Sequence, residues 1–204
     1  MQVGKIIKAL RKRYRTKGAR SRSPFEVLIT TVLSQRTRDE NTDRASKALF
    51  SKYKTPERLA GAGTGQIEWL IRPSGFYKVK AKRIKEISRI IVDRFGGKVP
   101  RRMEELLSLP GVGRKTANCV LVFAYRKPAI PVDTHVHRIS NRLGLVRTKT
   151  PEKTEIELLK KVPKRYWLDL NELFVTHGQN VCLPRKPRCS LCPIEKYCKK
   201  VNVG

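Results

Sequence analysis

The chain has 204 residues, with 46 Lys or Arg against 17 Asp or Glu, and its formal net charge at pH 7 is +29. An apolar share of 39% is typical of a globular protein and argues against a disordered chain. No apolar run approaches the roughly 18 residues of a bilayer-spanning helix, so the charge indicates an anionic partner, and nucleic acid is favoured over a membrane surface.

The first segment, residues 1–22, contains nine cations and no acid. This composition is also found in mitochondrial transit peptides. However, Val3, Ile6, Ile7 and Leu10 recur at helical spacing and form one apolar stripe. We therefore predict that the segment begins with a helix of the fold.

Capping motifs predict where several later helices begin. Residues 23–26 (SPFE) form a capping box with proline at the first helical position. Residues 55–58 (TPER) and 150–153 (TPEK) open helices in the same style. Because the alternating patterns typical of strands are almost absent, the predicted fold class is all-α.

Residues 106–117, LLSLPGVGRKTA, interrupt the helical pattern with a compact turn. Its two glycines permit a tight turn with exposed backbone N–H groups, just ahead of a helix that is apolar nearly all round. Such a helix start binds phosphate oxygens, and the spacing differs from that of a Walker loop, which favours a nucleic-acid backbone. A simple αα-turn is the alternative. The residues predicted to contact DNA here are Leu109, Pro110, Gly111, Val112, Gly113 and Arg114.

Two residues near this turn are candidates for chemistry. Lys115 lies in the first turn of the apolar helix, beside Arg114, and is a candidate nucleophile, with a solvated phosphate contact as the alternative. Asp133 precedes another helix and is first of all predicted to be its N-cap, which would also hold its carboxylate in place. His135 and His137 are expected to be packing or hydrogen-bonding histidines rather than metal ligands.

Four of the five cysteines lie within residues 182–198. The sequence has no secretory signal pattern, so we expect reduced thiols, and clustered reduced thiols indicate a metal site. The wide gaps favour a four-iron cluster, while zinc remains the alternative. The predicted ligands are Cys182, Cys189, Cys192 and Cys198. The fifth, Cys119, is predicted to be a small buried hydrophobe.

Taken together, LPGVGRKTAN, VDTH and the four-cysteine pattern resemble the endonuclease III family of helix–hairpin–helix DNA glycosylases. The resemblance runs from about Pro24 to Cys198. It implies two helical domains that flank a DNA-binding cleft. One is a six-helix barrel with the hairpin, residues 23–128, and the other is an iron–sulfur cluster domain formed by residues 1–22 and 129–204.

The resemblance also implies a function. It is that of a base-excision-repair glycosylase with AP lyase activity, acting as a monomer on double-stranded DNA with damaged pyrimidines or abasic sites. Lys115 would attack C1′ of the sugar, Asp133 would assist, and β-elimination would cut the strand on the 3′ side. The four cysteines would hold a [4Fe-4S] cluster. We expect no membrane contact and a cytoplasmic, nucleoid-associated location in a prokaryote.

Further DNA contacts are expected outside the hairpin. The cations between the first two clustered cysteines would meet phosphates, and the resemblance adds three polar residues. These predicted contacts are Gln35, Arg36, His135, Arg185, Lys186 and Arg188. One departure concerns Arg36, because the family commonly has glutamine there, at a position associated with filling the gap left by a flipped base.

Two other functions remain open at this stage. One is a monofunctional mismatch glycosylase, although such relatives usually lack a lysine at the position of Lys115. The other is a zinc-dependent DNA-binding module without catalysis.

Overall fold

The computed structural model describes residues 2–14 and 23–203. The chain divides into two compact units, which we call the hairpin unit, Ser21–Tyr125, and the cysteine unit, Met1–Arg20 with Arg126–Gly204. Every regular element in the described ranges is a helix, which confirms the all-α prediction. No helix there is long and apolar enough to cross a membrane. The domain boundaries after residues 22 and 128 stay predictions, and residue 22 lies outside the described ranges.

The hairpin unit begins with the predicted capping box. The Ser23 hydroxyl accepts the Glu26 N–H at 3.2 Å, and the Glu26 carboxylate accepts the Ser23 N–H at 2.9 Å. The helices of this unit are α2 (Pro24–Ser34), α3 (Asp39–Lys52), α4 (Pro56–Gly61), α5 (Thr64–Leu70), α6 (Tyr77–Phe95), α7 (Met103–Leu107) and α8 (Arg114–Cys119), the last followed by a π-helix, Val120–Ala124.

Helix α2 lies at the centre of the hairpin unit and contacts α3, α6 and α8. Its Leu28, Ile29 and Leu33 side chains are fully buried, as are Ile84 and Ile91 of α6. Each such side chain contributes about 1.5–3 kcal/mol by leaving water. The packing fixes the end of α2, and therefore the segment that follows it, against the start of α8.

The cysteine unit joins the first helix to the last third of the chain. Its helices are α1 (Gln2–Arg13), α9 (Thr134–Arg142), α10 (Pro151–Lys161) and α11 (Trp167–Asn180), and short 3₁₀ turns are Lys164–Tyr166, Cys189–Leu191 and Glu195–Tyr197. Val3, Ile6, Ile7 and Leu10 of α1 are buried in one core with α9, α10 and α11, which confirms the apolar stripe predicted for the first segment. The remainder of that segment, residues 15–22, lies outside the described ranges.

Candidate nucleic-acid interface and metal centre

The predicted tight turn lies between α7 and α8. The Val112 N–H donates to the Leu109 carbonyl at 3.2 Å. Gly111 has a φ of +70°, and a Cβ there would collide with the Arg83 side chain, so this position needs glycine. Gly113 is different, because its φ of −91° and ψ of 177° suit any residue and a Cβ would meet nothing within 4 Å. The turn therefore requires only one of the two glycines.

The predicted hairpin contacts differ in how far they reach the surface of the hairpin unit. Gly111, Gly113 and Arg114 are exposed. Leu109 and Val112 are only 2% and 5% exposed, so their side chains belong to the core of this unit. Sequence analysis grouped all of these residues as DNA contacts, yet Leu109 and Val112 present almost no surface.

Helix α8 is buried, as predicted, and Cys119 is 4% exposed. Its continuation is a π-helix, which the hydrophobic pattern did not predict because five residues are too few to separate a wider period from 3.6. Lys115 lies in the first turn of α8 and is partly exposed. Its Nζ forms no hydrogen bond within residues 2–14 and 23–203. The amine thus lies at a helix start without a hydrogen-bond partner among the described residues.

The segment after α2 braces the hairpin. Gln35 Nε2 donates to the Gly111 carbonyl at 3.1 Å and to Thr116 Oγ1 at 3.4 Å. Gln35 was predicted to contact DNA, and the structure gives its side-chain amide two partners within the hairpin unit. The hydrogen bond to Gly111 fixes the peptide that carries the positive φ.

An exposed aromatic residue that the sequence analysis missed lies beside Arg36. Phe76 is 63% exposed, and the Arg36 guanidinium carbon lies 5.8 Å from the centre of its ring. Both residues adopt left-handed backbone conformations, with φ of 51° for Arg36 and 59° for Phe76. Such conformations are unusual and costly for residues with a side chain. The only sequence signal is the Gly75–Phe76 pair ahead of α6, and periodicity does not distinguish an exposed phenylalanine from a core one.

Asp133 in the cysteine unit is the N-cap of α9, as predicted. Its Oδ1 accepts the backbone N–H groups of His135 and Val136, each at 2.9 Å. The other oxygen, Oδ2, receives no hydrogen bond from the described residues. The cap therefore immobilises the carboxylate through one oxygen and leaves the second for a ligand.

The two histidines of α9 form side-chain hydrogen bonds, as predicted. His135 Nδ1 lies 3.1 Å from Arg138 Nη2, and because the guanidinium must donate, the ring proton belongs on Nε2. His137 Nδ1 lies 2.6 Å from Thr154 Oγ1. His135 is partly exposed, so its predicted DNA contact would use the remaining N–H.

The four clustered cysteines line one pocket at the end of the cysteine unit, and none of them forms a disulfide. Burial, and to a smaller extent the charges of the other three thiolates, raises the pKa of the Cys192 thiol to about 11. No three His, Cys, Asp or Glu side chains in the described part of the chain are arranged to hold a single metal ion. A group bound here must displace the thiol protons, as metal centres do.

Hydrogen-bond donors surround these sulfurs. Arg142 Nη1 lies 3.4 Å from Cys182 Sγ, and the Lys200 N–H lies 3.4 Å from Cys198 Sγ. His177 Nε2 lies 3.5 Å from Cys192 Sγ. Donors around sulfur stabilise thiolates and tune the metal group that they bind. The residues present therefore fit an iron–sulfur cluster bound through four thiolates.

Two arginines of α9 hold the loop that carries the predicted cations. Arg142, only 7% exposed, donates to the Leu183 carbonyl at 2.6 Å and to the Pro184 carbonyl at 2.9 Å. Arg138 donates to the Cys182 carbonyl at 2.8 Å. Sequence analysis missed both, because two cations four positions apart in a helix look like a solvated face. The cations beyond this anchor are all exposed: Arg185, Lys186 and Arg188.

Comparisons with known proteins agree on one family. Residues 29–164 match the model of the HhH-GPD superfamily base excision DNA repair protein. The chain is 56% identical over 176 residues to endonuclease III of Thermotoga maritima, covering 86% of this chain and 83% of that relative. A solved structure of a trapped endonuclease III–DNA covalent intermediate has a TM-score of 0.89 at 36% identity, covering 98% and 95% of the two chains. A thermostable thymine-DNA glycosylase has a TM-score of 0.86 at 27% identity, covering 98% and 96%.

Proposed function

Because this chain belongs to the endonuclease III family of the HhH-GPD superfamily and is a base excision DNA glycosylase with AP lyase activity, we propose that Lys115 and Asp133 carry its chemistry. The proposed substrate is double-stranded DNA with an oxidised pyrimidine or an abasic site. The observation that carries this assignment is the capped carboxylate of Asp133, with one oxygen fixed and the other available. A monofunctional mismatch glycosylase is not favoured.

Asp133 acts first in this proposal. Breaking an N-glycosidic bond develops positive charge on the sugar. A carboxylate already fixed in place stabilises that charge more in the transition state than in the ground state, and no reorganisation is needed when the charge appears. The available Oδ2 is the oxygen that would face the sugar.

Lys115 then acts as the nucleophile. Its amine attacks C1′ as the base departs, and the sugar ring then opens at the C1′–O4′ bond, with O4′ becoming a hydroxyl, to give a Schiff base. The iminium acidifies the C2′ proton, and β-elimination expels the 3′ phosphate and cuts the strand. The amine at the start of α8 suits this role, because it has no hydrogen bond to the described part of the chain that would have to break before attack.

The preference for oxidised pyrimidines has a physical basis. A base that has lost its aromaticity stacks poorly, and it therefore leaves the duplex at lower cost. The exposed hairpin backbone at Gly111 and Gly113 would hold phosphates beside the flipped nucleotide. Arg36 would contact the gap in the duplex, and the cations Arg185, Lys186 and Arg188 would hold phosphates farther along.

The four cysteines would bind a [4Fe-4S] cluster, with Arg142, His177 and the Lys200 N–H donating to their sulfurs. In this role the cluster supplies no bond chemistry and orders the cationic loop, which lowers the entropy lost on binding DNA. The cytoplasmic, nucleoid-associated location and the monomeric state stay predictions. The bacterial relatives support the predicted location in a prokaryote.

Borohydride trapping on a duplex with thymine glycol tests this proposal. We expect wild type to form a covalent complex, and Lys115→Gln to form none and to lose strand cleavage by more than about a thousandfold. Lys98→Gln, another lysine of the hairpin unit, is the control and should be trapped normally. Trapping of Lys115→Gln at the wild-type rate would refute the role of Lys115.

Asp133→Asn tests the carboxylate separately from the cap. Asparagine caps helices as well as aspartate does, so the thermal stability should change little. We expect base release to slow by about a hundredfold or more because the charge is lost. If base release were unchanged while the cap was intact, Asp133 would have only a structural role.

A further inference from the structure

Lys80 is a buried cation that has no part in the chemistry proposed for Lys115 and Asp133 or in the proposed phosphate contacts. It lies in α6 and is only 3% exposed. Its Nζ lies between 2.5 and 2.9 Å from four oxygens: Leu33 O, Gln35 O, Thr37 Oγ1 and Ser74 Oγ. An ammonium group has three protons, so all of them are used, one of them shared between two oxygens.

These oxygens belong to two segments that are far apart in sequence. One runs from the last turn of α2 through Arg36 to Thr37, and the other precedes α6 and leads through Gly75 to Phe76. The segments also touch directly, because the Gly75 N–H donates to Thr37 Oγ1 at 3.1 Å. A Cβ on Gly75 would come within 2.9 Å of the Arg36 carbonyl oxygen. One ammonium group therefore contacts the residues on both sides of Arg36 and also Ser74, which lies ahead of Phe76.

The chemistry of this group argues for a specific role. A buried charge costs free energy, and an apolar side chain of similar shape is often at least as stabilising. Burial, with a smaller contribution from the charge of Arg83, lowers the pKa of Lys80 to about 8. The ammonium is nevertheless the group that can satisfy several carbonyl and hydroxyl oxygens at one point. The hydrogen bonds of this ammonium group also lie next to Arg36 and Phe76, whose left-handed backbone conformations are strained.

Arg36 and Phe76 form walls of a cavity of about 290 Å³, and Lys80 lies at its base. An exposed ring beside a guanidinium group is suited to stacking on nucleobases. We propose that Lys80 is a positioning residue that holds Arg36 and Phe76 as one unit for contact with bases at a damaged site. This inference rests on the proposed DNA contact of Arg36. It adds the buried ammonium group that holds Arg36 in place together with the exposed ring of Phe76.

A double-mutant cycle on the full-length protein tests the inference. The probe is a duplex containing one tetrahydrofuran abasic analogue, compared with the same duplex undamaged, and the readout is the ratio of the two dissociation constants. The variants are Lys80→Met, the double variant Arg36→Ala/Phe76→Ala, and all three changes combined. The matched control is Lys85→Met, which removes another lysine of α6 whose Nζ donates to the Ala62 carbonyl at 2.6 Å.

We expect Lys80→Met to lower this discrimination about tenfold, and Lys85→Met to leave it within about twofold. Because Lys80 acts through the pair, adding Lys80→Met to Arg36→Ala/Phe76→Ala should change the ratio less than about twofold. A purely structural lysine would instead lower thermal stability without changing the ratio, or would reduce the ratio by the same factor in both backgrounds. Either result would overturn the inference.

The two levels of the proposal can fail separately. If Arg36→Ala/Phe76→Ala leaves discrimination unchanged, the proposed DNA contact is wrong and the role of Lys80 falls with it. If that variant loses discrimination and Lys80→Met does not, only the role of Lys80 is wrong. Should Lys80→Met fail to fold, Thr37→Val removes one of the ammonium contacts and the Gly75 contact, and must lower the ratio in the same non-additive way.

Discussion

The hairpin and the cysteine loop are both proposed to meet phosphates, but different forces hold them. Residues 108–113 are fixed by local backbone geometry, with Gly111 at positive φ and a hydrogen bond from Gln35. Residues 182–198 contain only short 3₁₀ turns and depend on side chains, namely the buried guanidinium of Arg142 and four thiols. The short turn therefore depends mainly on its own backbone geometry, with one brace from Gln35, whereas the longer irregular loop depends on several side chains from outside it and on its own thiols.

The largest effect that this comparison predicts is in the cysteine loop. Cys192→Ser should abolish iron binding and destabilise the cysteine unit by more than about 5 kcal/mol, because metal binding to thiolates is coupled to folding. Iron analysis and thermal unfolding measure both. As a control, the Cys119→Ala protein, which is changed in the hairpin unit, should bind as much iron as wild type and lose about 1 kcal/mol of its free energy of unfolding. Full iron content with unchanged unfolding in Cys192→Ser would mean that the loop does not depend on its thiols.

Loss of the guanidinium anchor should have the next largest effect. Arg142→Met leaves the carbonyls of Leu183 and Pro184 without their donor, and we expect the free energy of unfolding to fall by about 2–4 kcal/mol. Arg188→Met changes an exposed cation of the same loop and should alter stability by less than about 0.5 kcal/mol, although it should weaken DNA binding. Equal effects on stability in urea denaturation would show that Arg142 is not an anchor.

The hairpin should respond more weakly and at one glycine only. Gly111→Ala forces a side chain into a left-handed conformation and against Arg83, so we expect a loss of about 1–2 kcal/mol. Gly113→Ala has room and an ordinary backbone conformation, and its stability should equal or slightly exceed that of wild type. Similar losses in both, measured by thermal denaturation, would contradict the single positive-φ requirement.

The smallest effect concerns the buried ammonium of Lys80 in the hairpin unit and depends on pH. The folded pKa of Lys80 is about 8 against an ordinary value of 10.5, so between these values the unfolded state binds more protons. The free energy of unfolding of wild type relative to Lys80→Met should therefore rise by about 1 kcal/mol from pH 7 to pH 9. Urea denaturation of both proteins at pH 7 and pH 9 measures this change, and a difference that stayed constant would contradict it.

The sequence was most informative where a pattern is local. The capping box at Ser23, the stripe of α1 and the cap at Asp133 each depend on residues a few positions apart, and all were predicted. Lys80, Arg142 and Phe76 could not be predicted in this way. Whether a cation is buried depends on carbonyl groups brought to it from distant segments, and Phe76 differs from a core phenylalanine only in its tertiary surroundings.

The predicted site residues also divide into those set by local sequence and those set by tertiary contacts. The grouping of the four cysteines and the place of Lys115 in the first turn of α8 follow from motif and helix position. The partial burial of the hairpin contacts does not, because Leu109 and Val112 look like any apolar residues in a turn. The bracing role of Gln35 also escaped prediction, since its partners Gly111 and Thr116 lie more than seventy positions away.

The discontinuous cysteine unit has a consequence for biosynthesis. The hairpin unit is one continuous stretch, Ser21–Tyr125, and a ribosome can release all of it before the second unit is complete. The apolar face of α1, with Ile6 and Ile7, must wait for α11 to emerge before it is covered. During translation this apolar and cationic helix stays exposed and is open to binding by a chaperone. A circular permutation that moves α1 behind α11 would shorten the time for which its apolar face is exposed.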